Sequence, residues 1–208
     1  MPLPVIHSFA GYSLYRFSRK SDKDHNWHLA LLCILLANLA DFDFLPGIFV
    51  HQMGRFHHGA SHSIGAALIC GLVFGLFLFF LKKRSFFKTF FLCSGVYLSH
   101  IALDFFGSAV LPMPLFWPLS SVPYGSQYSI FAFGAPAIQE SGTLTDFLWS
   151  MMSPAFLKRL SFEVAFVFLI WSIVGVIREL KRRARMREAT VLAGIAVFVF
   201  LLTFVAAK

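Results

Sequence analysis

The sequence predicts an all-α fold, a polytopic membrane helical bundle of about five to six helices with a long outer-side loop, and three observations predict it. Hydrophobic residues fill 58% of the 208 positions and charged residues only 13%, where an average soluble domain carries about a quarter. The mean hydropathy is +0.72. Apolar runs of membrane-spanning length alternate with short basic blocks, and those blocks fall in every second connection.

Met1 to Phe17 reads as a short helix. Pro2 and Pro4 suit its start, and Arg16, Arg19, Lys20 and Lys23 gather at its end. No basic segment precedes its apolar part and no small-residue cleavage site follows, so it does not read as a signal peptide. A second apolar helix spans Trp27 to Phe44, interrupted late by Asp41 and Asp43 and ended near Pro46 and Gly47. A third runs from about His62 to Leu81, a fourth from Phe86 to Phe106, a fifth from about Phe162 to Ile177 and a sixth from Ala189 to Ala207. All but the first fit spans of roughly 17 to 25 residues. The connection 107–157 is too long for a simple link and is rich in proline, glycine and aromatic residues, among them Trp117, Tyr124, Tyr128 and Trp149. It is expected to lie along the headgroup layer and roof a site. Trp117 and Tyr124 fit either an aromatic belt or substrate contact. Residues 1–120 form the membrane-embedded site region, and 121–208 add the outer loop and two C-terminal helices to the same structural unit.

The basic blocks set the expected orientation. Arg16 to Lys23, Lys82 to Lys88 and Arg178 to Arg187 are cytoplasmic by the positive-inside rule, which puts 46–61, 107–157 and both chain ends on the outer side of a bacterial-type inner membrane. The net charge of +8 thus reports topology, and no nucleic acid is expected as a partner. Cys33, Cys70 and Cys93 sit within apolar runs without ligand spacing, so neither a disulfide framework nor a thiolate metal site is suggested.

Between Asn38 and Ser63 stand Asp41, Asp43, His51, His57, His58 and His62, wedged between two apolar runs. Ionisable groups at membrane depth are costly unless paired or coordinated, and they mark function by default. Helical rise puts His100 roughly 18 Å and Asp104 roughly 24 Å above Lys88, Asp41 roughly 22 Å above Asn26, His62 roughly 30 Å above Lys82 and His7 roughly 13 Å above Arg16, so polar groups from four helices meet toward one side, His7 deepest. His100 and Asp104 are four apart and share a helix face. Asp41 and Asp43, two apart, do not; either one ligates while the other supports, or the helix is loosening toward Pro46. Gly59 suits a tight turn and Ser61 an N-cap for the helix that His62 opens. Mixed imidazole and carboxylate donors suit zinc, with manganese or iron also compatible. His25, His28 and His51 have weaker claims.

These motifs resemble those of the YdjM-like family of predicted membrane-bound metal-dependent hydrolases. The family's early histidine, Pro-Asp-x-Asp, His-Arg-Gly-x-Thr-His-Ser, Ser-His-x-x-x-Asp and Trp-Pro motifs correspond to His7, AlaAspPheAsp at 40–43, HisHisGlyAlaSerHisSer at 57–63, SerHisIleAlaLeuAsp at 99–104 and PheTrpProLeuSer at 116–120. Ala40, His58 and Ser61 depart from the pattern; at 58 a permanent charge is lost, which Arg55 is near enough in sequence to replace. A more distant likeness is to the zinc phospholipases C and single-strand-specific zinc nucleases. No histidine follows His100, so one or two ions are expected rather than three.

The resemblance implies hydrolysis, in which a metal activates water and polarises a phosphoryl or acyl oxygen. It carries the family's ligands over to His7, Asp41, Asp43, His57, His62, His100 and Asp104; of these, His62, His100, Asp104 and Asp41 are expected to bind the metal directly, His7 as a further ligand, and Asp43 or His57 to serve as general base or supporting partner. Arg55, His58 and Trp117 are the expected substrate contacts. An interfacial site favours membrane lipids, as a lipid or lipid-linked phosphoester substrate. Two other classes stay open: a metal or proton transporter, against which speaks the absence of repeated halves and of polar positions through the full depth, and a non-catalytic protein with a structural His/Asp network. No G-x-S-x-G elbow occurs. Oligomeric state is not legible.

Overall fold

The computed structural model describes residues 3–19, 25–52, 54–107, 112–126, 143–182, 191, 194–200 and 203, and these are helical with no strand among them. They form two compact units, Met1–Leu148 and Trp149–Lys208.

In the first unit, α1 (Pro4–Ser18) begins with proline in its first turn, where the missing N–H costs nothing. His7, Gly11 and Tyr15 recur every four residues and are buried together, so one stripe of α1 faces its neighbours. α2 (Trp27–Leu36) starts at Asn26, whose Oδ1 accepts from the Leu29 N–H at 2.9 Å. The Asn26 N–H in turn donates to the Tyr15 hydroxyl at 2.6 Å.

The second helix is not continuous to Phe44, as its hydropathy suggests. α2 ends at Leu36, a 3-10 turn covers Leu39–Phe44, and α3 (Leu45–Phe49) follows with a 50° bend between the two halves. Asn38 explains the break. Its side-chain amide donates to the Ile34 carbonyl at 2.8 Å, the oxygen its own backbone N–H would claim in an α-helix, and to Ser8 Oγ of α1 at 3.0 Å. The Asn38 N–H turns instead to Leu35 O at 3.1 Å. The Ala37 carbonyl is thereby released from the helix, with consequences described below.

His62 lies in a second 3-10 turn, Ala60–His62, rather than opening the next helix. The cap of α4 (Ile64–Lys82) is Ser63, not Ser61: Ser63 Oγ accepts from the Ala66 N–H at 3.0 Å. The left-handed residue of this turn is likewise His58, with φ of 61°, and not Gly59. α5 (Phe86–Gly107) returns against α4. Gly71 lets the two approach, because a Cβ there would run into Ser94 Oγ and the Phe90 carbonyl. After α5, Met113 and Tyr124 exchange backbone hydrogen bonds of 2.9 Å, and the Leu115 carbonyl accepts from Ile64 N–H at 2.9 Å. Residues 112–126 are thus folded back onto the start of α4, where Gly65 leaves room for the Trp117 carbonyl.

The long connection is more structured than expected. α6 (Leu144–Ser150) opens with a reciprocal cap, in which Thr143 N–H donates to Asp146 Oδ2 at 2.9 Å and Asp146 N–H to Thr143 Oγ1 at 3.2 Å. In the second unit, α7 (Pro154–Arg182) starts eight residues before the expected Phe162, since Ser153 and Pro154 together make an N-cap and a first-turn proline. Phe162 and Phe166 pack on Phe200, with ring centroids 5.4 and 6.1 Å away. Residues 191, 194–200 and 203 are helical; the remainder of the expected sixth helix, with Tyr128 and the side chains of the Arg178–Arg187 block, lies outside the described residues. Among the described residues three helices are long and apolar enough to cross a membrane, Ile64–Lys82, Phe86–Gly107 and the Pro154–Val176 part of α7, and the bent pair Trp27–Leu36 with Leu39–Phe49 makes a fourth.

Candidate metal centre

Three elements deliver four donors to one point in the first unit: the 3-10 turn after α2 brings Asp41, the turn before α4 brings His62, and one face of α5 brings His100 and Asp104. The side chains of His62, His100 and Asp104 are wholly buried, and Asp41 keeps 18% of its side chain exposed. The centre is therefore enclosed except on the Asp41 side.

His100 Nε2 stands 3.2 Å from Asp104 Oδ2, 3.4 Å from Asp41 Oδ1 and 3.2 Å from His62 Nε2. His62 Nε2 is 3.3 Å from Asp104 Oδ2 and 3.7 Å from Asp41 Oδ1. The remaining pair, the two carboxylates, lies within 4.8 Å. Four ligands at about 2.0–2.1 Å around a tetrahedral ion have donor-to-donor edges of about 3.3–3.4 Å. Five of the six donor pairs, at 3.2–3.7 Å, lie near that spacing.

The protonation pattern agrees with the spacing. His100 Nδ1 donates to the Ala37 carbonyl at 2.8 Å, the group released by the break in the second helix, which leaves Nε2 with its lone pair toward the centre. His62 Nδ1 is 3.1 Å from Asp43 Oδ2, so its Nε2 is turned inward too. Asp41 Oδ1 and both Asp104 oxygens are buried without a hydrogen-bond donor. Two such carboxylates facing two imidazole nitrogens need positive charge among them, which a divalent cation would supply and which, without one, a proton on His62 supplies in part. The residues fit a metal ion.

His7 stands beside this set. Its ring stacks on His100 at 4.0 Å, and its Nε2 lies 3.4 Å from Asp104 Oδ1, the oxygen turned away from the other donors. Both His7 ring nitrogens are buried without a hydrogen bond. His58, 6% exposed, places Nε2 3.6 Å from Asp104 Oδ2 and its ring 4.5 Å from that of His62. It had been read only as a substrate contact; its buried place beside the centre is a tertiary fact with no sequence signal. Asp43 and His57 pair at 2.8 Å outside the four donors. Arg55 is on the surface, with Nη1 donating to Gln52 Oε1 at 3.4 Å and the guanidinium over the Phe56 ring, and Trp117 is half-buried against α4; neither is brought into the donor set. His25 bonds to the Tyr15 hydroxyl at 3.3 Å, beside the N-terminal end of α2, and His28 stacks on Trp27.

Burial opposes a charge on His62, but the carboxylates of Asp104, Asp41 and Asp43 outweigh it and hold its pKa well above the ordinary 6.5. A metal ion must displace that proton. Below the raised pKa the proton is bound and competes, so metal affinity is expected to fall as pH is lowered, with the fall beginning above 6.5. Metal-binding isotherms from about pH 6 to about pH 9 check this; an affinity flat across that range would contradict it.

The profile of the family described as YdjM inner membrane protein matches residues 3–207. No curated protein and no solved structure matches the chain.

Proposed function

The chain belongs to the YdjM inner membrane protein family, and we propose that it is a membrane-bound metal-dependent hydrolase acting at the outer membrane interface on a lipid or lipid-linked phosphoester. The observation that carries this reading is the tetrahedral spacing of Asp41, His62, His100 and Asp104 around a buried, donor-poor centre. Two imidazoles and two carboxylates at that spacing favour zinc, one ion in this set, over larger octahedral ions. When bound, such an ion would supply a Lewis acid, and an acidified water where Asp41, the one partly exposed donor, yields its position to solvent.

The chain's own residues supply the rest. His62 and His100, each tied down at Nδ1, present Nε2 in fixed orientation, so binding requires little reorganisation. The 18% exposure of the Asp41 side chain leaves one approach to the centre open, as a reacting group requires and a purely structural site does not. His58 stands where it meets a group held at Asp104. Segments outside the spans carry large exposed apolar side chains, Phe56 at 41%, Val122 at 56% and Leu119 at 93%, which suits loops lying in a headgroup layer and a substrate arriving from the bilayer. Arg55, exposed on the same segment as Phe56, is a cation for a phosphate group. The positive-inside rule, applied to the basic connections, supports an outer location for this face.

The test is product release by mass spectrometry from full-length protein in detergent, supplied with phospholipids and lipid-linked phosphates, zinc-loaded or chelated. Turnover that needs the ion and disappears in His100→Ala is the expected result. A fully metal-loaded protein that cleaves none of these, but carries zinc across proteoliposomes, would replace the hydrolase reading with transport.

A further inference from the structure

We propose that Asp43 is a positioning residue: it fixes the His62 ring for the metal centre and fastens the 54–59 turn over it, and it takes no proton from substrate. The proposal rests on the metal-centre reading above.

Asp43 sits on the far side of the His62 ring from the centre. It meets Nδ1 at 3.1 Å while Nε2 belongs to the donor set. Its oxygens are divided among three groups: Oδ1 accepts from His57 Nδ1 at 2.8 Å, and Oδ2 accepts from Ser61 Oγ at 2.7 Å as well as facing His62. A carboxylate only accepts, and Ser61 Oγ, 3.1 Å from Nδ1, spends its own proton on Oδ2, so these contacts require a proton on His62 Nδ1; once Nε2 is deprotonated, its lone pair faces the centre. The turn held through His57 carries His58 in the left-handed region, φ 61°, which a non-glycine residue adopts only when its surroundings enforce it. Ser61 is held from the other side, its carbonyl accepting from the Tyr97 hydroxyl of α5 at 3.0 Å. One carboxylate thus ties a loop, a 3-10 turn and a ring to the core.

Asp43, His57 and His62 Nδ1 also lie close enough together to suggest a second ion. The 2.8 and 2.7 Å contacts argue otherwise. They are hydrogen-bond lengths, shorter than the about 3.3–3.4 Å edges of a tetrahedral ligand set.

The experiment is a cobalt(II) titration of full-length protein in detergent, read by visible absorption, with nitrogen-15 NMR of the histidine rings in the metal-free state at a pH high enough for the His62 ring to be neutral. Asp43→Asn is expected to keep one cobalt site but weaken it roughly 10–100-fold, to shift the visible bands, and to move the His62 proton off Nδ1 in part of the population. His57→Ala, which leaves the Asp43 to His62 contact in place, is expected to cost less and to keep the tautomer. Unchanged affinity in Asp43→Asn, an unchanged tautomer, or a wild type with two ions of which Asp43→Asn removes one would each overturn the positioning role. A wild type that binds no cobalt would sink the metal-centre reading instead, and the tautomer, which needs no metal, would still decide whether Asp43 holds His62.

Discussion

Asp104→Ala is expected to abolish metal binding and to destabilise the metal-free protein as well. Asp104 contributes to every part of the centre: Oδ2 lies 3.3 Å from His62 and 3.2 Å from His100, and Oδ1 faces His7 at 3.4 Å. Loss of an outer partner of a metal ligand costs roughly 10–100-fold in affinity, so loss of a shared ligand is expected to exceed that. Stability falls with it, because the deleted carboxylate is buried against His62, whose raised pKa it helps to sustain. Removing one partner of a buried ion pair leaves the other poorly compensated. Elemental analysis and thermal unfolding with and without zinc measure both parts. The wild type is expected to hold stoichiometric metal and to gain in Tm on adding zinc, and Asp104→Ala to do neither. If the variant retains full metal content, the four-donor centre is wrong; if it fails to fold, Asp104 is a structural residue first.

Gly71→Leu is expected to be the most damaging substitution away from the centre. A Cβ at Gly71 meets Ser94 Oγ, the Phe90 carbonyl and Ser94 Cβ, and two of these neighbours are held by α5 itself. The helices have to separate, and overpacking of this kind costs about 1–3 kcal/mol or more. Because α4 and α5 carry the turn of His62 on one side and His100 with Asp104 on the other, metal affinity should fall along with thermal stability. Gly95 is the control, since a Cβ there meets nothing within 4 Å among the described residues, and Gly95→Ala should leave both quantities unchanged. Melting curves of the purified variants decide; equal Tm values for Gly71→Leu and wild type would remove the close α4 to α5 contact from the account.

The sequence carried the bundle. Long apolar runs can only bury their backbone polar groups in helices, so the third and fourth helices were legible almost to the residue, and proline, glycine and basic blocks marked most ends. The His-x-x-x-Asp of α5 was equally legible, since a spacing of four has one meaning on a helix. Some signals were present but outweighed: Ser153 with Pro154 announces the start of α7, and Thr143 with Asp146 the start of α6, yet both stand in a proline-rich stretch that reads as loop.

Tertiary structure alone decided the rest. Straight-helix arithmetic set His7 below His100, but their rings stack at 4.0 Å. Asn38 looked like one polar residue in a span; only its reach to Ser8 on α1 shows why the helix breaks there and frees the Ala37 carbonyl for His100. Which of two carboxylates faces the centre, Asp41 or Asp43, depends on the pitch of a 3-10 turn that hydropathy does not register. Composition fixes where a chain is apolar, and that determines its helices. The meeting of donors within 3.2–3.7 Å depends on breaks, turns and side-chain hydrogen bonds between elements distant in sequence, and those are settled only when the elements pack.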